Sequence, residues 1–222
     1  MERIDHPDEK FYGRLKSRAL TKKQSELFEF LFQRVSITAF REIDIAYRDV
    51  FLEIGFGSGE HLAQLASLNS SKLFVGCEMF INGIASLLTK IEQLNLANLK
   101  IFQGDARKLL HEIPDKCIDG VFLLFPDPWP KRKHMKRRFI QSDTIVTLHR
   151  ILKVGGSCRI ATDDEGYAGW VEKCFTPFEK HFSIEVMDSE SRPPESVWPK
   201  TRYEQKAVKS CKFFLFIKEG PL

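Results

Sequence analysis

Asp127 and Trp129 stand in the segment Phe125-Pro126-Asp127-Pro128-Trp129-Pro130, which follows an apolar run and leads directly into Lys131-Arg132-Lys133-His134-Met135-Lys136-Arg137-Arg138. Each proline fixes φ and removes an amide donor, so the segment neither extends a strand nor starts a helix. It reads as a stiff loop that presents a carboxylate beside an aromatic ring. Six of the next eight side chains are Lys or Arg, a density of charge suited to a polyanion. The combination points to a site that handles a nucleobase next to a phosphate track. A solvated basic turn is the plainer reading of the same run, because short basic runs are common on surfaces.

A second constellation precedes it. Glu53-Ile54-Gly55-Phe56-Gly57-Ser58-Gly59 follows an apolar strand pattern and opens a helix, the place where a doubly wound sheet binds a nucleotide. Glycines there let a ligand approach the backbone. A dinucleotide fingerprint would want glycine at position 60, where this chain has Glu60. Glu53 and Glu60 would also repel a pyrophosphate at that helix start, so a cationic ligand without phosphate fits better. S-adenosylmethionine meets that description. Its ribose hydroxyls want a carboxylate at the end of the second strand of the βαβ unit, where Glu78 falls. Gly104-Asp105-Ala106, after the next strand, offers an acceptor for the adenine amino group. Helix capping by Asp105 and a solvated loop position for Glu78 are the plainer alternatives.

The elements that must hold these residues follow a βαβ rhythm. Short apolar runs at Val50 to Ile54, Leu73 to Cys77, Leu99 to Phe102, Ile118 to Phe125 and Ser157 to Ala161 alternate with helical spacing, as at Leu62, Leu65, Ala66 and at Ile145, Leu148, Leu152. With Ile184 to Val186 and Lys212 to Ile217 the count is about seven strands, and the expected fold is α/β, Rossmann-like, with a mostly parallel sheet and helices on both faces. Gly104 and Gly155-Gly156 read as loops, and Ser189 to Lys200, rich in proline, as a further loop. Thr21 is the expected N-cap of a helix carrying Phe28, Leu31, Phe32 and Val35. Residues 1–20 read as a mobile basic arm, and 21–222 as a single domain.

The chain's 222 residues carry a net charge of +4, of which the run 131–138 alone supplies +6, leaving −2 elsewhere. Basicity is therefore local, which implies a positioned anionic partner and argues against general adhesion to membranes. The five cysteines are far apart and form no close pair, and the start is charged, without an apolar signal region. A cytoplasmic protein with reduced cysteines is expected. No histidine or cysteine spacing suits a metal.

Taken together, the segments 53–59, 104–106 and 125–131, Ala161-Thr162-Asp163 with Tyr167-Ala168, and Thr201-Arg202-Tyr203-Glu204 resemble the bacterial tRNA (guanine-N7-)-methyltransferase family over residues 11 to 218. The resemblance implies a class I methyltransferase that acts on the variable-loop guanosine at tRNA position 46. It implies that Glu53, the glycines 55, 57 and 59, Glu78, Asp105, Ala106 and Asp127 surround the methyl donor, with Asp127 catalytic. It further implies that Lys131, Asp163, Thr201, Arg202, Tyr203 and Glu204 meet the tRNA substrate, and that Lys133, His134, Met135, Lys136, Arg137 and Arg138 follow the RNA backbone. Tight spacing between Glu204 and the final strand departs from the family pattern.

Guanine N7 carries an in-plane lone pair and no proton, so positioning matters more than base catalysis. Two roles are open to Asp127: stabilising positive charge on the methylated ring, or accepting hydrogen bonds from guanine N1 and N2. Two are open to Trp129, stacking on the base or plugging the core. Another RNA base methyltransferase and a non-catalytic RNA-binding module on the same fold are the alternative functions. No obligate protein partner is evident in the sequence.

Overall fold

The computed structural model describes residues 15–43, 49–195, 197–207 and 210–222. Eight strands form one sheet: β1 (Ser36–Ile37), β2 (Val50–Ile54), β3 (Leu73–Glu78), β4 (Leu99–Gln103), β5 (Ile118–Leu124), β6 (Leu152–Thr162), β7 (Phe182–Met187) and β8 (Lys212–Lys218). Their order is β1-β4-β3-β2-β5-β6-β8-β7. Pairings from β1 through β6 are parallel, and β8 runs antiparallel to both β6 and β7. The eighth strand is β1, which pairs with β4 through only two residues and is too short to leave a periodicity in the sequence.

Helices α1 (Lys22–Phe30), α2 (Phe32–Val35), α3 (Glu60–Leu68), α4 (Ile81–Leu94), α5 (Ala106–Glu112), α6 (Ser142–Ile151), α7 (Glu165–Phe175) and α8 (Arg202–Lys206) connect and cover the strands. Successive strand residues face opposite sides of the sheet. Val121 and Leu123 of β5 pack with Leu109 of α5, Leu148 of α6 and Val171 of α7. Phe122 and Leu124 pack in the opposite layer with Leu62 of α3 and Leu87 and Ile91 of α4. Each such side chain, when fully buried, contributes roughly 1.5–3 kcal/mol.

Thr21 does cap α1: its hydroxyl accepts from Gln24 N, and the Gln24 side chain accepts from Thr21 N. The helix it opens breaks at Leu31, so Phe28 and Phe32 lie on two short helices with rings 5.2 Å apart. Leu152, expected on a helix, is instead the first residue of β6, because it pairs with Ile118 ahead of an irregularity that absorbs Gly155 and Gly156. Gly155 lies at φ +78°, a backbone region open to glycine, and pairing resumes at Ser157 with Gly120.

Residues 1–14 of the expected arm lie outside the described residues. Residues 15–20 form no helix or strand, and they are tied to the start of α4: Ile81 N donates to Leu15 O, Ser17 N donates to Asn82 Oδ1, and Asn82 Nδ2 donates to Arg18 O. None of the five cysteines, all described, forms a disulfide. Among the described residues no helix is long and apolar enough to cross a membrane.

Candidate active site

The chain leaves β2 toward β3 and β4 on one side and returns to β5 and β6 on the other, so the order of strand addition, though not strand direction, reverses between β2 and β5. A crevice at the carboxyl ends of those strands is where such a fold places its ligand. A cavity of about 820 Å³ lies there, lined by the segments that follow β2, β3, β4 and β5 together with Thr201, Arg202, Tyr203 and Lys206.

The glycine turn after β2 divides by function. Gly55 (φ +70°) and Gly57 (φ +56°) line the cavity, and a Cβ at either would meet nothing within 4 Å. Gly59 does not line it. Its φ is +75°, and a Cβ there would lie 2.8 Å from Leu87 Cδ1, so glycine at 59 serves the approach of α4 to the start of α3.

Glu78 ends β3 and is held by three backbone amides. Oε2 accepts from Gly57 N at 2.8 Å, while Oε1 accepts from Met79 N at 2.7 Å and Phe80 N at 2.9 Å. A carboxylate has about four acceptor positions, which leaves one for a ligand hydroxyl. Burial pushes the Glu78 carboxyl above its ordinary range, against the lowering effect of those three amides.

Glu53 is 3% exposed, and its Oε2 lies 2.7 Å from Nδ1 of His61, itself 2% exposed. The His61 ring meets Phe122 edge-on at 4.8 Å. Sequence reading passed over His61. The signal was its place in the first turn of the helix after the glycine turn, from which a side chain reaches back to the end of β2.

Asp105 lines the cavity and also caps α5. Its Oδ1 accepts from Arg107 N, and the Arg107 guanidinium grips both carboxylate oxygens at 3.1 and 2.7 Å. Ala106 is buried against the same wall.

The proline loop after β5 departs from ordinary backbone. Phe125 (φ +53°) and Trp129 (φ +43°) are non-glycine residues in the left-handed region, at a cost of about 1–3 kcal/mol each. Phe125 N donates to Ala161 O at 2.8 Å, and the Tyr203 ring stacks on the Phe125 ring at 6.3 Å and 18°. Asp127 is exposed and lines the cavity. Trp129 also lines it and is half-buried, so it is not a core plug; Arg137 lies over its ring at 4.9 Å and His134 meets it edge-on at 5.7 Å.

The basic run forms a 3-10 helix over Arg132–Arg137. Lys131, Arg132, Lys133 and Lys136 are exposed, whereas His134, Met135 and Arg137 are half-buried. Arg138 departs from the expectation for an RNA-backbone residue. It is 5% exposed and turned inward, because its guanidinium donates to the Pro128 and Trp129 carbonyls.

Thr201 caps α8 by accepting from Glu204 N, and Arg202 and the exposed Tyr203 face the cavity. Glu204 does not line the cavity. Its carboxylate lies 2.7 Å from Arg192, with side-chain exposures of 7% and 10%, and burial raises its pKa while Arg192 opposes the rise. Asp163 and Lys131 are exposed and stand outside the cavity wall. Among the described residues no cluster of three metal-ligating side chains occurs.

A glycine turn, a strand-end carboxylate and a sheet of this order suit a methyltransferase, and the family comparison gives that class. The family described as "Putative methyltransferase" matches residues 47–213. An rRNA methylase from Streptococcus thermophilus has a similar fold, with a TM-score of 0.54 at 13% identity, covering 91% of this chain and all of that one. The chain belongs to the tRNA (guanine-N7-)-methyltransferase family. It is 40% identical over 205 residues to the tRNA (guanine-N(7)-)-methyltransferase of Caulobacter vibrioides, covering 90% of each chain. It is 41% identical over 223 residues to the one of Paramagnetospirillum magneticum, covering 93% of this chain and 92% of the relative.

Proposed function

We propose that this protein transfers a methyl group from S-adenosylmethionine to N7 of a guanosine in tRNA, at variable-loop position 46. The observation that carries the reading is the convergence, in one cavity, of the acidic glycine-turn pocket with the strained loop bearing Asp127 and Trp129.

The residues present fit the donor. The wall is acidic at Glu53, Glu78 and Asp105, which suits a cation; the open space at Gly55 and Gly57 admits a ligand against the backbone; and Glu78 keeps one acceptor position for a ribose hydroxyl. Glu53, Glu78, Asp105 and Ala106 would hold the donor. S-adenosylmethionine, when bound, supplies the methyl group as part of a sulfonium cation.

N7 has no proton to remove, so this chain's residues have three tasks: to orient the base, to favour charge that develops on the ring, and to bind the RNA. Tyr203, stacked on Phe125, and Trp129 offer flat surfaces for a purine, and each such stack contributes roughly 1–3 kcal/mol. Asp127 stands on the same wall with its carboxylate exposed, in position to favour a guanine that becomes cationic. Lys131, just before the adjoining 3-10 segment, and Lys133 and Lys136 within it face solvent and supply phosphate contacts. Arg202 and Lys206 add positive charge to the cavity lining.

The experiment is incubation of bulk tRNA with labelled S-adenosylmethionine, followed by strand cleavage specific for N7-methylguanine. Label at a single variable-loop guanosine is the expected result. Label elsewhere, or on an exocyclic amine, would refute the reading.

A further inference from the structure

We infer that Arg138 is a positioning residue for the reaction, a buried clamp that holds the Asp127 loop in its strained shape and makes no contact with tRNA phosphate. The inference rests on the functional reading above and assigns this arginine a task apart from the rest of the basic run.

Prolines at 126, 128 and 130 have no N–H, so the loop can be held chiefly through its carbonyl groups. Arg138 takes two of them. Its Nε donates to Pro128 O at 2.8 Å and its Nη2 to Trp129 O at 3.4 Å, and these carbonyls belong to the two residues that follow Asp127. The guanidinium lies 5.0 Å from the Trp170 ring and 5.7 Å from the Tyr167 ring, both on α7. Trp170 is fixed in turn by donation from Nε1 to Ile140 O at 2.7 Å. Arg138 is thus held between α7 and the loop, at 5% exposure, where a phosphate oxygen cannot reach it. Trp129, whose carbonyl is held, is also the loop residue at φ +43°. A backbone in that region persists only where its surroundings over-determine it.

A planar fork can bond two carbonyls while its faces lie against aromatic rings. An ammonium keeps the charge but cannot make the same set of contacts. Arg138→Lys therefore separates the two roles: lysine serves well at a phosphate and poorly at a clamp.

The test measures kcat at saturating tRNA and donor, tRNA affinity against salt, donor affinity and thermal melting for Arg138→Lys and Trp170→Leu, beside a Lys133→Ala, Lys136→Ala double variant. The expected result for Arg138→Lys is a fall in kcat of at least tenfold, with tRNA affinity and its salt slope within twofold of wild type. Trp170→Leu should move kcat in the same direction by less, and the double variant should show the reverse pattern. Wild-type kcat in Arg138→Lys, or a flattened salt slope with kcat retained, would overturn the clamp. If Arg138→Lys does not fold, an unchanged kcat in Trp170→Leu overturns it. Wild-type protein assayed alongside keeps the failures apart: no N7 label with wild type sinks the functional reading, whereas normal wild type beside normal Arg138→Lys sinks the clamp.

Discussion

Glu78→Gln is a near-isosteric change whose cost can be worked out from three hydrogen bonds. The new amide must place its NH2 on one side. Toward Met79 N and Phe80 N it would confront two donors, so it will take the Oε2 side and confront one, Gly57 N. That leaves a partly buried amide unpaired at about 1–3 kcal/mol. The acceptor position assigned to the ribose lies on the same oxygen, because Oε1 is already filled by two amides. A charge-assisted bond lost there is worth roughly 1.5–3 kcal/mol, so donor affinity should fall about ten- to hundredfold. Melting should drop by a few degrees.

Calorimetry with S-adenosylmethionine, filter binding of tRNA and a melting curve read all three quantities. Donor affinity should fall while tRNA affinity stays within twofold. Equal loss of both, or an unchanged donor affinity, would refute the assignment of Glu78 to the donor. Proton linkage gives a second check. Burial raises the Glu78 carboxyl above its ordinary 4.5, so on acidification donor affinity should begin to fall before exposed carboxylates titrate. The contribution to folding has the opposite sign. A carboxyl raised by burial costs stability as pH rises through its folded pKa, so at acid pH this residue's penalty on folding is relieved while its ligand contact is lost.

Asp127→Asn should lower kcat by roughly 10²-fold with both ligands still bound, since the charge acts on the developing cation; turnover within a few-fold of wild type, beside a nearly inactive Trp129→Ala, would assign positioning to the ring instead. Lys133→Ala with Lys136→Ala should weaken tRNA and flatten its salt dependence by roughly 0.7–0.9 per lost phosphate contact, leaving donor affinity intact, and an unchanged slope would make these residues plain solvated surface. Gly83→Ala should lower donor affinity and melting temperature together, because its Cβ would lie 2.2 Å from Gly57 O, a backbone atom that cannot move without shifting the glycine turn; wild-type melting in this variant would show that the turn yields freely.

The sheet was legible because β2, β3 and β5 are buried along most of both faces, so their sequences read as nearly continuous apolar runs, and a residue such as Val121 or Phe122 is apolar whichever layer it joins. Strand ends were legible for the same reason, and they located Glu53, Glu78, Asp105 and Asp127 before any geometry was known. What stayed hidden was direction. Residue type gives a charge and a reach, yet the side a side chain takes depends on which donors and acceptors its neighbours leave unfilled. Gly59 carries the spacing of a ligand-binding glycine and faces Leu87, because α4 needs that approach. Glu204 sits in a segment that faces the cavity and turns to Arg192, because a carboxylate at that depth needs a cation. Arg138 ends a run of mostly exposed cations and points inward, because three prolines leave the preceding loop short of donors and its carbonyls in need of them. Had Pro128 and Pro130 been residues with an N–H, the loop would have had more donors of its own, and only the Trp170 and Tyr167 rings would have been left to draw an arginine at 138 from the solvent.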